Sequence, residues 1–208
     1  MTVFKDYKII RKAISKDLAL FLYNYIYLKK EVNKILVESR FISPWQTEWG
    51  LWADNLNTNT YCHYADIAME TLLMKVQPIV EKETNMKLQP NYSYVKLYKT
   101  GDSLRRHKDR FACEVSITMN LGGDPWPIYV EPSGKKGKKG IPINLSKGDM
   151  LIYRGDKLEH WREPLQGKEH LQVFLHYNNV KSKGAKDNLY DTRPLLGLPG
   201  DFKKMINN

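Results

Sequence analysis

Of the five histidines in the chain, His63, His107, His160, His170 and His176, two sit in informative company. His107-Lys108-Asp109 sets an imidazole and a carboxylate two residues apart, and alternate residues of a strand point to one face, so the two side chains converge. His160 falls near the end of a later strand-like run, where antiparallel packing returns it opposite the pair. Two neutral imidazoles and one carboxylate on one face of an octahedron hold a divalent transition metal and leave three positions open for chemistry.

The elements that must position these groups follow from periodicity. After Ser15, a good N-cap, apolar residues recur at Leu18, Phe21, Leu22, Tyr25, Leu28, Val32, Ile35 and Leu36, which is helical spacing. Residues 41–63 carry Pro44, Gly50, Asn55, Asn57 and Asn59 among Trp45, Trp49 and Trp52, and read as an irregular aromatic-rich connection. Helical spacing resumes at Met69, Leu72, Leu73, Val76 and Val80, with Pro78 expected to kink the helix or end it near Val76. From residue 91 the pattern becomes short β-type runs at 92–98, 103–108, 112–121, 126–131, 141–145, 150–154, 158–162 and 170–177, broken by glycine-containing turns. Strands of this kind preceded by helices predict a mostly β (α+β) fold with N-terminal helices and a closed or sandwiched β core.

Composition sets limits on the rest. At 208 residues, with 42% hydrophobic and 12% aromatic residues, the chain can bury a core and has room for one compact domain. Residues 1–90 would form a helical support layer, 91–179 the β core and 180–208 a surface extension, lid or disordered end. Lys plus Arg exceed Asp plus Glu by ten, which favours an acidic partner; Lys135, Lys136, Lys138 and Lys139 concentrate that charge between two strands, as a solvated hairpin tip or a loop contacting a polyanion. Cys62 and Cys113 are far apart and form no CxxC motif, so a reducing compartment is expected, with Cys113 as inert core at the start of a strand. With no apolar run suited to a leader or a membrane span, a cytoplasmic location with no membrane partner is expected.

The two blocks Tyr94-Val-Lys-Leu-Tyr-Lys-Thr-Gly-Asp-Ser-Leu-Arg-Arg-His-Lys-Asp-Arg110 and Gly148-Asp-Met-Leu-Ile-Tyr-Arg-Gly-Asp-Lys-Leu-Glu-His-Trp-Arg-Glu-Pro164, followed by His170-Leu-Gln-Val-Phe-Leu-His-Tyr177, resemble the 2-oxoglutarate- and Fe(II)-dependent dioxygenases, in particular their prolyl-4-hydroxylase-like branch. The resemblance spans roughly residues 88–177. It implies a double-stranded β-helix core of the jelly-roll or cupin-like kind, with His107, Asp109 and His160 as the metal ligands and catalytic centre. It further implies Fe(II), 2-oxoglutarate and O2 as cofactor and co-substrates, with ascorbate as a candidate auxiliary reductant. Tyr98, in a Tyr-x-x-Gly turn, matches a tyrosine that helps hold the co-substrate.

Many members of the branch carry Arg or Lys nine or ten residues after the distal histidine to pair with the C5 carboxylate of 2-oxoglutarate, whereas this chain has His170. A guanidinium matches two carboxylate oxygens with its planar fork of donors, which a neutral imidazole does not. Arg162 lies two residues past His160 and faces the same cavity on a strand, so it is the expected anchor, with His170 assisting and Lys168 as the alternative cation. Arg110 is expected to orient Asp109, meet substrate or lie on the surface; Trp126 and Trp161 line the pocket mouth or serve packing; His63 is expected to be structural and His176 an inward polar residue.

The resemblance implies oxidative decarboxylation of 2-oxoglutarate to succinate and CO2, coupled to hydroxylation of an unactivated C–H bond. A peptide or protein substrate, a prolyl residue included, is the leading expectation. A nucleic-acid substrate is the alternative raised by the charge, although the Arg-x5-Arg spacing of the nucleobase-demethylating branch is missing after His160. A non-catalytic β-helix binding protein is the third reading.

Overall fold

The computed structural model describes residues 4, 6–53, 57–135 and 137–202. Ser15 caps the first helix as its position predicts, its Oγ accepting from the Leu18 N–H at 3.1 Å, and α1 runs over Lys16–Glu38. The second helix, α2, spans Ile67–Thr84 and begins on Asp66, whose carboxylate accepts from the amides of Ala68 and Met69. Contrary to the expectation from Pro78, α2 passes through it. Pro78 is exposed, so its ring and the amide bond it forgoes lie on the solvent side, while buried Val76 and Val80 hold the helix to the core on either side.

The described residues form eleven strands, in chain order β1 Tyr7–Ile10, β2 Leu51–Ala53, β3 Thr58–Tyr64, β4 Leu88–Lys99, β5 Leu104–His107, β6 Val115–Gly123, β7 Ile128–Glu131, β8 Ile141–Ile143, β9 Met150–Tyr153, β10 Glu159–Arg162 and β11 Glu169–Asn179. They form a seven-stranded sheet in the order β1-β9-β6-β11-β4-β3-β2 and a four-stranded sheet in the order β5-β10-β7-β8, with antiparallel pairing throughout.

Three differences from the sequence expectation stand out. The stretch taken as an irregular connection contributes β2 and β3, which extend the large sheet beyond β4. The helices are not a purely N-terminal block, because β1 precedes α1 and β2 and β3 separate α1 from α2. Cys113 lies in a 3-10 turn, Phe111–Cys113, and the strand begins only at Val115. Lys136 of the lysine cluster and residues 203–208 of the C-terminal extension lie outside the described residues.

Strict alternation divides the large sheet into two faces. Val95 and Leu97, then Ile117, Met119 and Leu121, Met150 and Ile152, and Leu171, Val173 and Leu175 point one way and join Leu22 and Ile26 of α1 and Leu73 and Val76 of α2 in the main core. The intervening residues point the other way, toward the small sheet. A smaller core of Ile128, Val130, Ile143, Leu151, Tyr153 and Leu158 closes one side of that second layer, and Tyr98, Trp126, Leu165 and Phe174 close the other. The helices thus cover one face of the large sheet and leave its polar face lining a cavity.

Among the described residues, no helix is long and apolar enough to cross a membrane.

Candidate active site

The cavity between the sheets has a volume of about 320 Å³, and its walls include Tyr98, His107, Asp109, Tyr153, His160 and His176. His107 ends β5 and His160 sits on β10, and the antiparallel register makes them direct cross-strand partners, with ring centroids 4.3 Å apart. Asp109 follows β5 and is fastened by its N–H to the Gly155 carbonyl at 2.8 Å. Its Oδ1 lies 3.4 Å from His107 Nε2 and 3.5 Å from His160 Nε2, so the three residues singled out in the sequence converge on one point.

The second nitrogen of each ring sets the tautomer. His107 Nδ1 faces the Arg105 carbonyl at 2.6 Å and His160 Nδ1 faces the Leu158 carbonyl at 3.0 Å. An acceptor at Nδ1 keeps the proton there and leaves the Nε2 lone pair directed at Asp109, as a metal-binding histidine requires. Ser116 donates from Oγ to Asp109 Oδ2 at 2.8 Å, and the same Oγ lies 3.0 Å from His176 Nδ1. The donor set, two imidazoles and a carboxylate supported from behind, fits a divalent transition metal.

Electrostatics in the cluster follow from this geometry. Burial alone would raise the pKa of Asp109, yet the adjacent His107 and His160 rings, which carry a proton on Nε2 when they are charged, hold it well below the usual carboxylate range. The same contact with Asp109 raises His107 against the effect of its partial burial. Burial pushes His176 down to about 4, so this ring is neutral at physiological pH.

Beside the triad lies a second polar group. Arg162 shares the inward face of β10 with His160 and is 2% exposed. It donates from Nη1 to the Trp126 carbonyl and from Nη2 to Gln172 Oε1 at 2.9 Å, and its Nε has no hydrogen-bond partner. Among the described residues no carboxylate pairs with it. Burial brings its pKa down to about 10, so the guanidinium still carries its charge at neutral pH. His170 reaches the same acceptor, with Nε2 2.8 Å from Gln172 Oε1 and Nδ1 2.8 Å from the Asp124 carbonyl, and burial lowers its pKa to about 4. Gln172 completes the group by donating to Thr118.

The remaining predicted residues are placed as follows. Tyr98 is buried in the cavity wall against Trp126, ring centroids 4.8 Å apart. Lys168 is exposed and takes no part in the Arg162 group. Arg110 lies over the Tyr92 ring at the rim and pairs with Asp191 at 3.0 Å. Trp126 packs over the Arg162 guanidinium at 4.6 Å, whereas Trp161 stacks on Tyr129 and carries Arg106 on its other side, away from the cavity walls. His63 lines a separate cavity beside Asp66. Sequence reasoning passed over Ser116, Thr118 and Gln172, and left Lys96 unremarked although it is buried in the cavity wall with Nζ 4.8 Å from the Tyr98 ring centre. The signal was available: each is a polar residue at an alternate position of an otherwise apolar strand.

No protein-family sequence model and no curated protein matches the chain. Solved structures do. A prolyl-4-hydroxylase from Pseudomonas putida superposes with a TM-score of 0.59 at 14% identity, covering 85% of this chain and 94% of that one. The viral collagen prolyl hydroxylase of Paramecium bursaria Chlorella virus-1, in complex with 2-oxoglutarate, gives 0.57 at 13% identity over 86% and 98%. HygX from Streptomyces hygroscopicus, with nickel and 2-oxoglutarate bound, gives 0.54 at 13% over 85% and 84%. The chain has the fold of these oxygenase structures. Within that oxygenase fold, the convergent His107, Asp109 and His160 and the buried Arg162 group are features of this chain's own residues.

Proposed function

We propose that the chain is a 2-oxoglutarate- and Fe(II)-dependent oxygenase of the prolyl-4-hydroxylase-like branch, built on a double-stranded β-helix, which hydroxylates an unactivated C–H bond of a peptide or protein substrate. The observation that carries the reading is Arg162, a buried cation with neutral partners on the same strand face as a metal-ligand triad. A buried charge is costly without a counter-ion, so the site is arranged for an anion, and alternate residues of a strand are separated by only ~7 Å. A dicarboxylate spans that interval, with one end at the triad and the other on the guanidinium.

Fe(II), 2-oxoglutarate and O2, when bound, would supply the chemistry that turns a C–H bond into C–OH, with one oxygen atom going to succinate as CO2 leaves and the other to the product. The chain does the rest. His107 and His160 present neutral Nε2 atoms because Arg105 and Leu158 accept their Nδ1 protons. Asp109 supplies the anionic ligand, and Ser116 holds its other oxygen in place. Arg162 receives the C5 carboxylate, helped by Tyr98, while His170 keeps Gln172 turned toward the guanidinium. Tyr153 and Phe174 exclude water, and the tyrosine-rich rim of Tyr64, Tyr92 and Tyr94 offers flat apolar faces suited to a proline ring. The prolyl hydroxylases among the structural neighbours support the peptide assignment.

The test is a thermal-shift and calorimetric titration with Mn(II) followed by 2-oxoglutarate, then an aerobic assay with Fe(II) and proline-containing peptides read by succinate and by a mass increase of one oxygen atom. Stabilisation by 2-oxoglutarate only when metal is present, absent in Asp109→Ala, is the expected result. Failure of 2-oxoglutarate to bind the metal-loaded protein overturns the proposal. Oxidation of oligonucleotides in place of peptides would reassign the substrate.

A further inference from the structure

Strand β5 is an edge of the small sheet and forms one lip of the cavity, with both Leu104 and His107 in the cavity wall. Strict alternation would not put residues three apart on one face. The register explains it: His107 lies opposite His160 and Leu104 opposite Arg162, so β5 carries one residue more than β10 over the same span. This bulge leaves two arginines between the inward pair, Arg105 exposed to solvent and Arg106 laid over the Trp161 ring outside the cavity walls. Lys108 and Arg110, on either side of Asp109, are exposed as well. The lip that bears two of the three candidate metal ligands therefore carries four cations within residues 105–110.

The lysine-rich segment between β7 and β8 is fastened to the same lip. Arg106 donates from Nη1 to the Lys138 carbonyl at 2.8 Å and from Nε to Glu159 at 2.7 Å. Gly140 lies so close to Trp161 that a Cβ there would overlap the ring. The loop is thus held across the outer side of β10 onto β5, where exposed Lys135, Lys138 and Lys139 extend the positive surface. Neighbouring carboxylates are already engaged, Glu159 by Arg106, Glu131 by Ser133 and Asp191 by Arg110. Among the described residues no carboxylate pairs with Arg105, Lys108, Lys135, Lys138 or Lys139.

We infer that the substrate is an acidic peptide segment, whose carboxylates beside the reacting residue sit on Arg105 and Lys108 and whose more distant ones sit on the lysine loop; this rests on the peptide hydroxylation proposed above. An extended peptide advances ~7 Å every two residues, so acids a few positions from the residue inside the cavity fall along the lip. Each cation is exposed, and one exposed pair changes affinity by no more than about fivefold. Selection therefore comes from several pairs acting together and from steering, which favours a class of substrate over a single sequence. A nucleic acid would meet the same charge, but grooves for single strands combine cations with open aromatic faces. Trp161, the ring beside the lysine loop, has one face on Tyr129 and the other under Arg106.

Binding without turnover tests it, by fluorescence anisotropy of labelled proline-centred peptides on the full chain with Mn(II) and 2-oxoglutarate present. The peptides carry Glu, Gln or Lys at the flanking positions. At low salt the Glu peptide should bind roughly tenfold or more tighter than the Gln peptide, and the gap should close as salt screens it. Arg105→Glu with Lys108→Glu should invert the order so that the Lys peptide binds best, an outcome that loss of fold cannot produce. Lys135→Glu, Lys138→Glu and Lys139→Glu together should narrow the gap. Equal binding of the Glu and Gln peptides overturns the inference, as does the full preference surviving in either variant. An oligonucleotide of equal charge that outcompetes the Glu peptide overturns it too. The ranking is read without catalysis, so an absence of succinate in the oxygenase assay would sink the proposed reaction and leave the acidic preference to stand or fall on its own measurement.

Discussion

Arg162 donates from Nη2 to the side-chain oxygen of Gln172 at 2.9 Å, a charged group held by a neutral acceptor where water is excluded. If the guanidinium awaits a carboxylate, Arg162→Met should weaken 2-oxoglutarate binding to the metal-loaded protein by about 10- to 150-fold, the value of about 1.5–3 kcal/mol for hydrogen bonds to a charged group. Arg162→Lys should restore only part, since an ammonium lacks the planar fork. The ligand-free Arg162→Met protein should be no less stable than the parent, because an apolar side chain of similar volume removes a buried charge. A large drop in melting temperature with unchanged 2-oxoglutarate affinity would show that Arg162 is structural.

Gly155 controls how closely Asp109 approaches its strand. A Cβ at this position would overlap Asp109 Oδ2 and lie 2.5 Å from Ser116 Oγ and 2.6 Å from the Cys113 carbonyl. The backbone there is of a kind any residue adopts, so the constraint is steric. Gly155→Ala should fold, yet push the carboxylate off the point where both Nε2 atoms converge and lower Mn(II) affinity at least roughly tenfold, as loss of ligand support does. Calorimetric titration of metal into the variant gives the answer, and parent-like affinity would refute the claim.

The parts of the molecule legible from sequence are those with a local period. The HxD spacing brings His107 and Asp109 together, although β5 ends at His107 and Asp109 is turned in by its bond to the Gly155 carbonyl and not by strand alternation, and the i, i+2 rule puts Arg162 beside His160. What had no local signature is pairing across distance. The short β1 and β2 are strands because β9 and β3 offer them an edge, and nothing in Tyr7–Ile10 announces that edge. Pro78 misleads because its rule concerns an isolated helix, whereas α2 is held by Val76 and Val80 packed in the core. Ser116 and Gln172 read as ordinary strand polarity until the sheets are stacked and they face Asp109 and Arg162.

Two buried histidines make stability depend on acidity. His170 and His176 have pKa values lowered to about 4 by burial, against 6.5 unperturbed. Above pH 6.5 both rings are neutral in the folded and unfolded chains and contribute no pH dependence. As pH falls from 6.5 toward 4 the unfolded chain takes up protons that the folded one refuses, so stability drops, by roughly 3 kcal/mol per ring at the end of the window. Asp66 and Asp109, held well below the usual carboxylate range, lose their contribution only at lower pH. Urea denaturation across this window should show the slope, and His170→Gln should reduce it; a flat profile between pH 4 and 6.5 would contradict the assignment.

The segment after β11, expected from sequence as a surface extension, a lid or a disordered end, is tied to the core by Arg193. Its guanidinium pairs with Glu70 of α2 at 2.7 Å, with side-chain exposures of 0% and 2%, and also donates to the carbonyls of Tyr190, Asn91 and Leu198. Glu70 in turn accepts from the amides of Ser93 and Gly197, so both charges are fully coordinated. Just before Arg193, Tyr190, Asp191 and Thr192 all adopt positive φ, a run of left-handed backbone that needs such an anchor to persist. Arg193→Met would leave Glu70 charged and buried alone, and should cost about 3–5 kcal/mol in urea denaturation, with Glu70→Met in the same chain recovering part of the loss. The segment also carries Asp191, which holds Arg110 at the cavity rim and accepts from the Tyr64 hydroxyl at 2.6 Å. Loosening it should therefore raise the KM for a substrate that contacts the rim while leaving 2-oxoglutarate affinity, set by Arg162 on the other side of the cavity, unchanged. Equal loss of both would mean that the anchor supports the whole fold and not the rim.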